Sequence, residues 1–283
     1  MPHSQITVPV VAAVIGAGAL HAAWNAIAKH LDDRLVAFAL IGVASTLGGG
    51  IVLALTGLPY RASIGFAAAS ATVHVCYELA LMNSYRLGAF NQVYPIARGT
   101  SPLLVALGAY FVAGEQPGTV QLAGVAILAA GLASLALSSG RLTGSDLPAV
   151  AAAALTGLAI AGYTIVDGLG VRRAHDPYAY AALLFVLMGP VFPVIAAFRR
   201  PALSWLTGRA AAPGLLAGTL SLIAYGAVLW AQTRAPLAEV AAIRETGVVF
   251  AAVIGWRLFA ESFGARRMAA AALVAAGIVL ISA

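Results

Sequence analysis

Arg98 and Arg244 stand inside long apolar stretches, and their side chains set the first chemical possibility. A guanidinium makes paired, charge-assisted hydrogen bonds with a carboxylate, phosphate or phosphonate. Facing one cavity, the two arginines could clamp an anionic solute. Neutralised by nearby carboxylates, they would instead lock helices together, and both readings stand. His74 and Glu78 are four residues apart and share one helical face. That pair could take up and release a proton, or Glu78 could be the standing partner of one arginine. His21, Trp24, Asn25 and Lys29 fall at i, i+3, i+4 and i+8, giving one polar stripe that is expected to face a bundle interior, with Lys29 at the water boundary. Tyr163 and Asp167 share a face, with Asp167 expected near a helix end that water reaches. Glu245 adjoins Arg244, so the two side chains diverge and Glu245 should balance another group. The candidate solute-binding set is Arg98, Arg244, Glu78, His74, Tyr94, Trp24, Asn25, His21 and Tyr163; the candidate proton-coupling set is Glu78, Asp167 and Glu245.

Enzymatic chemistry finds less support. Ser101 sits in Gly99-Thr100-Ser101-Pro102, where proline replaces the second glycine of a nucleophile elbow. HExxH and Walker sequences are missing, so neither metalloprotease chemistry nor ATP drive is expected. The chain has 1 cysteine, Cys76, which rules out a disulfide framework and a Cys/His metal cluster. No cofactor and no metal are expected.

The elements that must hold these residues are membrane helices. Of 283 residues, 61% are hydrophobic and 9% charged. A spanning helix needs about 20 apolar residues, and backbone groups in hydrocarbon must be satisfied within a helix or closed barrel. The apolar runs are too long for barrel strands. They predict an all-α integral membrane protein with ten transmembrane helices, at 6–28, 35–57, 62–84, 89–113, 118–138, 147–170, 178–198, 210–233, 235–258 and 264–282. The net charge of +6 is carried largely by arginines in the connections, such as Arg172, Arg173, Arg199 and Arg200. That is membrane-boundary chemistry, and no nucleic-acid partner is expected.

A constant offset of 146 pairs Arg98 with Arg244, Thr100 with Thr246, Glu115 with Glu261, Gly118 with Gly264 and Gly131 with Gly277. Five spans per half is an odd number, so a second copy enters from the opposite side: two inverted five-helix repeats, residues 1–140 and 141–283, an architecture of secondary transporters. Pro95 and Pro102 flank Arg98, which predicts a kinked or broken fourth helix. Glu115 and Glu261 are expected to cap the helices that follow them. Small residues in the fifth and tenth spans permit close helix approach, within one chain or across a homodimer.

The run Leu20-His21-Ala22-Ala23-Trp24-Asn25 through Lys29, the run Tyr94-Pro95-Ile96-Ala97-Arg98-Gly99, and Gly114-Glu115 before a Gly-rich helix resemble an EamA-type member of the drug/metabolite transporter superfamily. The resemblance implies a 5+5 helical exporter or exchanger of small metabolites in the cell membrane, with a central cavity lined by the first four helices of each half. The second half departs from the pattern, since Ala241-Ala242-Ile243-Arg244-Glu245 lacks the Tyr-Pro pair. The arginines favour an anionic or zwitterionic solute; a flippase for a lipid-linked phosphate is the alternative, and an intramembrane enzyme a remoter one. The positive-inside rule puts both termini outside, whereas the resemblance implies that both are cytoplasmic.

Overall fold

The computed structural model describes residues 6–87, 90–137, 146–200, 202–259 and 265–281, and among these every regular element is helical. The helices are α1 (Val8–His30), α2 (Arg34–Thr56), α3 (Arg61–Leu87), α4 (Phe90–Gly108), α5 (Thr119–Leu137), α6 (Leu147–Val171), α7 (Pro177–Met188), α8 (Val191–Arg199), α9 (Ala211–Gln232), α10 (Leu237–Arg244), α11 (Thr246–Phe259) and α12 (Ala265–Ile281). Their ends follow local chemistry. Asp33 caps α2, accepting from Leu35 N at 3.0 Å and Val36 N at 3.2 Å; Asp176 caps α7 through Tyr178 N at 2.8 Å. Gly57, at φ 78°, ends α2 in a conformation that glycine adopts freely.

Among the described residues, 7 helical stretches are long and apolar enough to cross a membrane, fewer than the ten expected. The shortfall has visible causes. Thr119–Ser134 and Ala269–Ile281 are apolar but shorter, and the expected span 235–258 is divided between α10 and α11 at Glu245. Of the kink or break expected of the fourth helix, a break does not occur: α4 runs through Pro102 as one helix and passes into a π-helical turn at Ala109–Ala113. One missing N–H is a local loss that a packed helix tolerates. The seventh span is the one interrupted beside a proline, between α7 and α8 at Gly189-Pro190.

The bundle is dressed for lipid. Ile51, Phe111, Leu155 and Val279 are exposed, whereas Arg98, Arg244, Glu245, Asp167 and His74 are buried. This distribution puts charge where neighbouring helices can compensate it. α1 lies against α9 and α11, and α6 lies against α3 and α4; α2 packs on α7 and α9, and α3 on α7. Two glycines allow close approach of α1 to α11 and of α6 to α4. Space for a Cβ on Gly18 is taken by Thr246 Oγ1 at 2.7 Å, and space for one on Gly157 by the Ala97 carbonyl at 2.7 Å.

α5 and α12 pack on each other. A Cβ on Gly131 would meet Val274 N at 3.1 Å and Ala270 O at 3.2 Å, and one on Gly277 would meet Leu128 N and Gly124 O, each at 2.7 Å. Contacts that rise along one helix as they fall along the other make the pair antiparallel. Gly277→Ala should therefore lower the melting temperature of the detergent-solubilised protein, by the ~1–3 kcal/mol typical of overpacking. Gly50→Ala, where a Cβ meets nothing within 4 Å, should leave it unchanged.

The faces of the bundle can be told apart by chain path. The first face is the one on which α1 begins, and it carries the α2–α3, α6–α7 and α9–α10 links; the second face carries the α1–α2 link. At the second face Arg200 Nη2 donates to Asp33 Oδ2 at 2.8 Å. That hydrogen bond, foremost, and the cap N–H groups hold the Asp33 carboxyl below the usual carboxylate range. A lowered value means that stability is gained above the unfolded carboxyl pKa and lost as pH falls through the folded one. The pair is exposed, so its share is below ~1 kcal/mol. Asp33→Asn should slightly flatten the fall in melting temperature as pH drops below about 4.

Candidate functional site

A cavity lies in the middle of the bundle, lined by α1 (His21, Trp24), α2 (Phe38, Ile41, Ser45), α3 (His74, Tyr77, Glu78), α6 (Tyr163), α7 (Phe185), α9 (Ser221, Tyr225) and α10 (Arg244). Space open to the centres of water-sized molecules is ≈ 70 Å³, where one water needs roughly 10–15 Å³. The lining residues of α1, α2 and α3 lie toward the second face.

Aromatic and imidazole rings cluster on the wall. His74 stacks on Tyr163 with centroids 3.9 Å apart, and Tyr77 meets Tyr163 edge-on at 5.5 Å. Tyr225 meets His74 at 5.3 Å and Phe185 at 6.3 Å. The Arg244 Cζ stands 6.0 Å from the Tyr163 centroid, within cation–π range. His74 Nδ1 lies 3.1 Å from Ser70 Oγ and 3.0 Å from Ser70 O, which fixes its ring.

The two arginines are not equivalent. Arg98 Nε donates to Glu245 Oε2 at 2.8 Å in a pair whose side chains are 3% and 0% exposed. Arg98 does not line the cavity, and the carboxylate it meets among the described residues is Glu245. Arg244 does line it, and among the described residues its Nε and Nη2 have no acceptor. Trp24 Nε1, also on the cavity wall, is likewise buried without one. Glu78 is half-buried and lines the same space. Breaking the ninth span makes this possible: α10 stops at Arg244, α11 starts at Thr246, and the turn between them sends Arg244 to the cavity and Glu245 to Arg98.

Other candidates fall outside the cavity wall. Asn25 donates to the His21 carbonyl at 2.8 Å, which its i−4 spacing invites. Asp167 does not reach water: it is 0% exposed and accepts from Tyr180 at 2.9 Å and from Tyr225. Glu115 does not cap the helix that follows it but accepts from Leu237 N, at 2.8 Å to Oε2, at the start of α10. The side chain of Tyr94, and Glu261 and Gly264 altogether, lie outside the described residues. Sequence reasoning missed Tyr77, Ser221 and Tyr225. Tyr77 continues the helical face set by Ser70 and His74, and Ser221 and Tyr225 at i, i+4 mark a similar face on α9.

Residues 147–283 match the family described as the EamA-like transporter family. This half of the chain is EamA-type. It holds Tyr163, Phe185, Tyr225 and Arg244 of the cavity wall, so the EamA-type half supplies the cavity's guanidinium. The likeness is to membrane transporters, and it agrees with the 7 helical stretches among the described residues that are long and apolar enough to cross a membrane. A solved crystal structure of a protein shares the fold at TM-score 0.75 and 15% identity, over 98% of this chain and 98% of the other. No curated protein matches the chain.

Proposed function

We propose that the chain moves a small anionic or zwitterionic solute by alternating access between two inverted halves, residues 1–140 and 141–283. One observation carries the solute class: Arg244 and Trp24 line the cavity and hold buried N–H donors that have no acceptor among the described residues, and Glu78 stands on the same wall. A buried donor left unmade is costly, so these groups fit a site that a ligand oxygen completes. The aromatic wall suits an apolar body or, with Glu78, a cationic end.

The contact pattern supports the inverted halves. Exchange of α1 with α6, α2 with α7, α3 with α9 and α4 with α10–α11 converts the packing of α6 on α3 and α4 into that of α1 on α9 and α11, and the packing of α2 on α9 into that of α7 on α3. The offset of 146 turns the Gly131 contacts with Ala270 and Val274 into the Gly277 contacts with Gly124 and Leu128. Antiparallel α5 and α12 are what an inverted relation requires.

The test is a thermal-shift screen of purified protein against small carboxylates, phosphates, zwitterions and organic cations. A ligand that binds only the native state raises the melting temperature. Stabilisation by anions or zwitterions is expected, and stabilisation by cations alone would overturn the solute class. Of the three candidate proton carriers, Glu78 is the one on the cavity wall. Glu78→Gln should alter the pH dependence of transport, measured as solute counterflow in proteoliposomes at several external pH values.

A further inference from the structure

The cavity lies between the two faces, and alternating access requires a closure at each. At the first face the Arg172 guanidinium joins three elements. Its Nε donates to the Gln232 carbonyl at 2.8 Å and its Nη2 to the Ala235 carbonyl at 2.9 Å, both around the α9–α10 link. The same Nη2 is 2.9 Å from Glu115 Oε1, at the end of the fourth span. Glu115 in turn accepts the Leu237 N–H that opens α10. Gly114 at φ 68° and the π-helical turn before it aim Glu115 across the bundle rather than along its own helix.

Building on the transport reading, we propose that Glu115 and Arg172 form the gate at the first face, with α10 as the lever that joins this gate to Arg244. Magnitude separates the gate from the buried pair of Arg98 and Glu245. Arg172 and Glu115 are 32% and 13% exposed, so water can replace each partner when they part. A partly solvated pair costs little to open, whereas Arg98 and Glu245 have no water to turn to and stay joined through the cycle. α10 is 8 residues long, clamped at Leu237 and ending on Arg244, so it cannot be released at one end without freeing the other. Solute leaving Arg244 and the gate parting at Leu237 thus become one movement.

Spin-label distances test this without any solute. In a Cys76→Ser background, one label pair at Gln116→Cys and Arg234→Cys reports the first face, and a second at Asp32→Cys and Thr207→Cys reports the second face. Glu115→Gln with Arg172→Gln should add a longer population at the first face and a shorter one at the second in the same protein. Glu115→Gln alone, which keeps an acceptor for Leu237 N–H, should give the same shift in smaller proportion. Broadening at the first face with an unchanged second face would make the cluster a helix cap only and overturn the gate, as would no change at either. These distances need no ligand, so a failed solute screen beside a moving gate would refute the solute reading alone.

Discussion

Arg244→Gln should abolish solute-induced stabilisation while the protein folds and melts at or above the wild-type temperature. Arg244 is 4% exposed, and its Nε and Nη2 meet no acceptor among the described residues. Removing the charge therefore breaks no ion pair and relieves a buried guanidinium. Binding is affected in the opposite direction. A hydrogen bond to a charged group is worth ~1.5–3 kcal/mol, so losing it should weaken solute affinity by roughly 10- to 100-fold at least. Thermal shifts recorded against solute concentration separate the two effects. A structural lock would behave otherwise: the variant would melt lower, and the solute response of the folded fraction would survive.

The second large effect belongs to the pair that the cavity does not see. Arg98→Gln or Glu245→Gln leaves the other charge buried among helices, and such losses cost ~3–5 kcal/mol. Each single variant should melt far below wild type or fail to fold. The double variant removes both charges and should recover most of the loss, because replacing a buried pair is often close to neutral. Glu245 Oε1 has no partner among the described residues, which adds to the cost of stripping Arg98 away. Melting temperatures of the two singles and the double, taken as a cycle, give the coupling; additive losses would mean that the 2.8 Å contact contributes nothing.

The sequence made the charges conspicuous and left their partners hidden. An arginine in an apolar run stands out because few residues are so costly there, and His74, Tyr163, Trp24 and His21 were all legible from helical spacing. The Arg98 partner was not, since Glu245 lies 147 residues away and nothing local links them. The divided ninth span was equally silent: the stretch around Glu245 holds no proline, while Pro102, which promised a kink or a break, sits within a continuous α4. Glu115 looked like a cap for α5 because sequence reasoning weighs neighbours along the chain; its acceptor role is spent on α10, 122 residues on. Asp167 looked water-reachable from its place near a helix end, and the two tyrosine hydroxyls that satisfy it come from α7 and α9. Periodicity reports which face of a helix is polar. It does not report which other helix that face will meet.

Transport itself is the most direct test of the account. Proteoliposomes should be loaded with a solute that stabilises the purified protein, and exchange with labelled external solute followed for wild type, Arg244→Gln and the double variant of Arg98 and Glu245. The account expects saturable exchange by wild type, none by Arg244→Gln, and measurable exchange by the double variant once it is folded. Undiminished exchange by Arg244→Gln, or a stabilising solute that wild type binds and never moves, would contradict it.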